Sequence, residues 1–145
     1  MRYSILIVAI SLLAIGCNKD KFTTAPQLKF KSLNVEDLRK DDVLQIKLSF
    51  TDKEGDIDSI YVEQKSINCA KTKFHEIKLI PAFPTTSNTE GDFLISYGYR
   101  VNPALVEPQC EDVPADSCYF RFAIRDKAGN KSDTVQTDIF ILHRQ

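Results

Sequence analysis

Val43-Leu44-Gln45-Ile46-Lys47-Leu48-Ser49-Phe50 places Leu44, Ile46, Leu48 and Phe50 at every second position, set against Val43, Gln45, Lys47 and Ser49. Successive side chains of an extended backbone point to opposite faces, so this spacing predicts a strand with one buried face. The same alternation runs outward through Phe93, Ile95, Tyr97, Tyr99 and Val101, and through Phe120, Phe122 and Ile124 against Tyr119, Arg121 and Arg125. Tyr97 and Tyr99 share the parity of Phe93 and Ile95 and are expected in the core. Val135, Thr137, Ile139 and Ile141 against Gln136, Asp138 and Phe140 predict a last strand, and 28–33, 60–64 and 74–80 are shorter candidates. No window carries a sustained helical repeat with caps. The expectation is an all-β chain, an Ig-like β-sandwich of about seven antiparallel strands. The chain has no Trp, so the signature of a Trp packed on an intersheet disulfide is absent.

The first residues carry an address. Met1-Arg2-Tyr3 supplies one positive charge, and 4–15 is a nearly unbroken apolar run ending at Gly16-Cys17. That layout is a secretory signal peptide, and the run is shorter than the roughly 20 residues a membrane-spanning helix needs. Ala14-Ile15-Gly16-Cys17 resembles the lipobox of bacterial lipoproteins, with Ala14 where that pattern usually has Leu. The resemblance implies cleavage of 1–16 and acylation of Cys17 by diacylglycerol with palmitate-type chains. Each buried methylene contributes about 0.8 kcal/mol, and two or more chains anchor stably. Asn18 after the cysteine, where Asp resembles an inner-membrane retention signal, favours the outer membrane. Lys19-Asp20 resembles the surface-export signal of Bacteroidota lipoproteins, although Lys21 stands where that signal has a second acidic residue. Residues 17–26 read as a lipidated tether and 27–145 as one domain.

Charge excludes one class of partner. Lys and Arg total 19 against 20 for Asp and Glu, so no basic excess exists to neutralise nucleic-acid phosphates.

Two turns carry the most suggestive chemistry. Phe50-Thr51-Asp52-Lys53-Glu54-Gly55-Asp56-Ile57-Asp58 sets Asp52, Glu54, Asp56 and Asp58 at alternate positions around Gly55. Asp126-Lys127-Ala128-Gly129-Asn130-Lys131-Ser132-Asp133-Thr134-Val135 follows a later strand. In an Ig-like strand order the two loops lie at one end, where Asp126 and Asn130 join the four carboxylates. Oxygens so spaced suit a hard cation such as calcium, although the EF-hand pattern is not met. The competing reading is that Asp, Gly and Asn simply build tight turns. Both motifs resemble those of a family of small Bacteroidota lipoproteins, in which a strand ends in Phe-x-Asp-x-(Asp/Glu)-Gly-Asp-Ile and a late turn reads Asp-x-Ala-Gly-x-x-Ser-x-Thr-Val. Asp58 stands where that family often has Gly. The resemblance implies the Ig-like fold and the envelope address, and no activity.

Besides Cys17, the cysteines are Cys69, Cys110 and Cys118, an odd number for an oxidising compartment. Cys110–Cys118 would close a local loop around Pro114, whereas Cys69–Cys110 would join two loops at the end opposite the acidic turns. The spacings lack a CxxC pair for zinc. No GxSxG, P-loop or HExxH occurs, and Cys69 with His75, the nearest approach to a nucleophile and base, lacks a group to orient the imidazole. Phe83, in a loop of Pro, Thr and Ser, is read as pinning that loop. The expectation is therefore a non-enzymatic protein held to the membrane by its lipid, binding or scaffolding an envelope protein or glycan. The alternative is a calcium-stabilised spacer of the cell envelope with no ligand of its own. No other cofactor is expected.

Overall fold

A computed structural model describes residues 21–70, 74–83, 87–99, 104–110 and 112–144, with backbone alone at 104–106. The leader, Cys17 and Val101 lie outside these residues. The described chain is all strand and loop: β1 (Gln27–Leu33), β2 (Asp37–Leu38), β3 (Val43–Asp52), β4 (Ile57–Ser66), β5 (Phe74–Leu79), β6 (Thr89–Tyr99), β7 (Ala104–Val106), β8 (Ala115–Asp126), β9 (Val135–Gln136) and β10 (Phe140–His143). One sheet runs β1-β3-β6-β7 and the other β2-β10-β8-β4-β5, with β9 also on β8. Two sheets with strands passing between them in this order form an Ig-like β-sandwich.

The seven expected strands are present, with three departures. β2 and β7 were not expected, and they pair in parallel, β2 with β10 and β7 with β6, so the sheets are not wholly antiparallel. The third departure is the last strand. It divides into β9 and β10, and the parity read from Ile139 and Ile141 reverses: Ile139 is 50% exposed while Phe140 and Leu142 are fully buried. Thr137 causes the break. Its Oγ1 accepts the Phe120 N–H at 3.0 Å, a bond that a regular ladder would give to a carbonyl. The chain kinks there, and the next large side chain, Phe140, takes the core position.

The core follows from alternation. β3 is buried at Leu44, Ile46, Leu48 and Phe50, and β8 at Cys118, Phe120, Phe122 and Ile124. The sheets meet through aromatic rings. Tyr97 of β6 stacks on Phe120 of β8 with centroids 5.0 Å apart, and Phe120 stacks on Phe140 at 5.6 Å. Phe74 of β5 packs edge-on against both Tyr97 and Phe120. The Tyr97 hydroxyl avoids burial without a partner by donating to Glu76 Oε1 at 2.7 Å, and Tyr99 donates to the His143 carbonyl at 2.7 Å. At one end of the core Phe83 lies edge-on to Phe50 at 6.5 Å, which pins its loop as expected.

Phe120 touches four other rings or their neighbours in both sheets, so its removal opens the centre of the core. Phe120→Ala should lower the unfolding free energy by about 3–5 kcal/mol, read as a fall in the urea midpoint at unchanged slope.

Candidate functional site

The acidic turns meet. β3 ends at Asp52 and β4 begins at Ile57, so 53–56 must reverse the chain, and Gly55 does this at φ 72°, a left-handed conformation that favours glycine. The Asp52 carboxylate closes the turn by accepting the Asp56 N–H on Oδ2 at 2.9 Å. In the facing sheet, β8 ends at Asp126, whose oxygens accept the Asn130 N–H and its Nδ2 group, both at 2.7 Å. Gly129, at φ 91°, completes that turn by donating to the Asp126 carbonyl at 3.1 Å. The turns are joined directly, since the Lys127 N–H donates to the Asp56 carbonyl at 3.1 Å.

Of the six residues proposed from sequence as cation ligands, three converge. Asp52, Asp56 and Asp126 each place a carboxylate oxygen within 4.8 Å of the others. Asp52 and Asp126 are buried, and burial pushes the Asp52 carboxyl above the ordinary carboxylate range against the opposing pull of the Asp56 and Gly55 amides. Glu54 is exposed and outside the group. Asp58 is committed elsewhere, bonded to Arg125 Nη2 at 2.8 Å, which holds its carboxyl below the usual range. Asn130 donates its amide to Asp126 and so orients a carboxylate.

The opposite end is closed covalently. Cys69 and Cys110 form a disulfide, the loop-to-loop pairing of the two considered. Cys118 is a free, buried side chain on β8, two residues before Phe120. Burial pushes its thiol up to about 12. The Cys110–Cys118 alternative is excluded by this pairing, and with Cys69 oxidised, Cys69 and His75 do not form a nucleophile and base. Asp116 organises this end and was not anticipated. Fully buried, it accepts Ser66 Oγ at 2.5 Å, the Gln109 N–H at 2.5 Å and the Cys110 N–H at 3.1 Å. Nothing in the sequence marks it, because its donors come from two segments distant in sequence, at 66 and at 109–110. His143 pairs with Asp37, tying β10 to β2.

A third feature lies on the outer face of the β4-β5-β8 sheet. An open depression of about 490 Å³ is lined by Tyr61, Glu63, His75, Ile77, Arg121 and Lys131. Lys131 sits over the Tyr61 ring at 5.4 Å, and Glu63 bonds both Lys65 and Arg121. Beside it Ile77 and Leu79 of β5 are 57% and 75% exposed.

No family model and no curated protein matches the chain. Solved structures that resemble it include sporulation control protein Spo0M from Bacillus subtilis, at 12% identity and TM-score 0.47, over 85% of this chain and 51% of that one. A Niemann-Pick type C2 protein from Japanese carpenter ant matches at 11% identity and TM-score 0.44, over 81% and 94%. A beta-glucosidase from Listeria innocua matches at 12% identity and TM-score 0.39, over 82% and 16%. The chain thus spans about half the length of Spo0M. The sandwich stands on its own strand order and core.

Peptide mapping without reduction should recover Cys69 joined to Cys110 and Cys118 as a thiol. With its thiol at about 12, Cys118 should resist a thiol reagent at pH 8 in the folded protein and react in denaturant. A Cys110–Cys118 peptide would contradict this account.

Proposed function

We propose that this protein is a lipid-anchored, non-catalytic module of the cell envelope that binds an extended polypeptide segment along the free edge of β5. The observation that carries this reading is the edge itself. β5 pairs with β4 from Ser59↔Leu79 to Gln64↔Phe74 and ends its sheet, with no strand on its other side among the described residues. Such an edge offers a row of backbone donors and acceptors, and soluble proteins usually guard it with charge. Here the charge is turned away: Lys78 lies over the Tyr97 ring at 5.1 Å and pairs with Glu76 at 3.1 Å. What faces outward from β5 is His75, Ile77 and Leu79. An added strand gains affinity from main-chain hydrogen bonds and specificity from alternate side chains, for which the Tyr61–Arg121 depression supplies a pocket.

The anchor is supported by Ala14-Ile15-Gly16-Cys17, and the outer membrane, with surface exposure, by Asn18-Lys19-Asp20. A short link sets orientation. Lys21 follows Cys17 by four residues, a reach of about 14 Å. Lys21 is already bound to the fold, its carbonyl accepting Thr51 Oγ1 at 3.0 Å and its ammonium pairing with Glu90 at 2.5 Å. The acidic end is thus held toward the bilayer and the disulfide end away from it, with β5 running between them.

The test is a photo-crosslinking residue placed at Leu79, with Leu94 on the other sheet as control, in a tagged full-length protein in its own cells. A discrete envelope partner recovered from the membrane fraction at Leu79, absent at Leu94 and lost with Ile77→Lys, is the expected result. Cys17→Ser should abolish recovery from that fraction. Equal labelling at both positions, or none, would overturn the edge-binding reading and leave a spacer.

A further inference from the structure

We infer that Asp52, Asp56 and Asp126 form a calcium site that clamps the two sheets at the anchored end of the sandwich. Turn chemistry alone accounts for some of these oxygens: Asp52 Oδ2 holds the Asp56 amide, and both oxygens of Asp126 hold Asn130. It does not account for the others. Asp52 is fully buried, yet its Oδ1 accepts no hydrogen bond, and Oδ1 of Asp56 is likewise buried and without a donor. A buried carboxylate oxygen without a donor is costly to leave unmatched, and buried charges are ordinarily paired or bound to metal.

The surrounding charge makes the same point. Among the described residues, none of the three carboxylates has an ion-pair partner, because Arg125, the nearest guanidinium in sequence, is engaged by Asp58. Arg125 reaches Asp126 only through the longer-range field, so among the described residues the three carboxylates gather with no cation in direct contact.

The geometry fits a large, hard ion. The three oxygens all lie within 4.8 Å of one another, close enough for one hard cation to touch all of them. An all-carboxylate set disfavours the soft and imidazole-preferring metals, and magnesium, which demands strict octahedral geometry and gives up its waters reluctantly, is less suited than calcium to a set of three protein carboxylates. Water would complete the six to eight ligands calcium takes. Asn130 is a positioning residue that fixes Asp126 through two bonds, and Gly55 lets the β3–β4 turn bring Asp56 back over Asp52.

The placement gives the ion a structural role. Asp52 ends β3 in one sheet and Asp126 ends β8 in the other, with Asp56 in the loop that crosses between sheets. A single ion bound to all three closes that end as the Cys69–Cys110 disulfide closes the opposite one.

The test uses the purified full-length protein in mild detergent, stripped with EDTA and titrated with calcium chloride in a calorimeter, with thermal melts alongside. One equivalent should bind, and millimolar calcium should raise Tm by at least about 3 °C. Magnesium should do less. Asp56→Asn retains the backbone amide that closes the turn and should fold, as checked by far-UV circular dichroism, but bind calcium at least about tenfold more weakly. Asp126→Asn should do the same, while Glu54→Gln should bind as the wild type does. A wild-type protein whose melt is unmoved by calcium and chelator, with no binding heat, would overturn the site. So would an Asp56→Asn protein that binds as tightly as the wild type.

Discussion

The sandwich depends on one contact between its sheets, the ring of Tyr97 on β6 stacked against that of Phe120 on β8. Sheets packed about 10 Å apart need large side chains to fill the gap, and a chain without Trp has to do this with Phe and Tyr. Phe120 answers by touching Phe74, Phe122 and Phe140 as well as Tyr97. The choice of Tyr at 97 fixes something else. Its hydroxyl crosses to Glu76 and its face receives Lys78, so β5 is oriented from the far sheet. The polar residues of β5 turn inward over that ring and leave His75, Ile77 and Leu79 outside. The exposed edge is in this sense a consequence of the core.

Aromatic rings join the sheets, and the cysteine on β8 is in no disulfide. Cys118 packs as a small apolar group, and the disulfide appears instead between loops, backed by the Asp116 carboxylate. The two ends then differ in kind. One is covalent and organised by a buried acid with three donors. The other is built from short turns and an acidic cluster, and there Lys21 meets Thr51.

Alternation made most of this architecture legible. β3, β6 and β8 were readable because each keeps one face more buried than the other over enough length for the period to declare itself. β2 has two residues and β7 three, and both owe their state to a neighbouring strand rather than to their own pattern. The last strand misled because Thr137 uses a side-chain oxygen where the ladder would use a carbonyl, and a period-two reading cannot see a kink. At the acidic end the residue types and the meeting of two loops were visible in sequence. Which three of six oxygen donors converge was not, since the answer turned on Arg125 drawing Asp58 away and on Asn130 presenting its amide to Asp126. Asp116 was beyond reach for the same reason, its partners being spread over 66, 109 and 110.

Amide hydrogen exchange probes the proposed β5 interaction edge most directly. Exchange would be compared between the protein in isolated envelopes and the same protein purified in detergent. The account predicts that slowed exchange in the envelope is concentrated in 74–79, with β3, at the centre of the other sheet, unchanged. Amides of 74–79 that exchange equally fast in both preparations would contradict it.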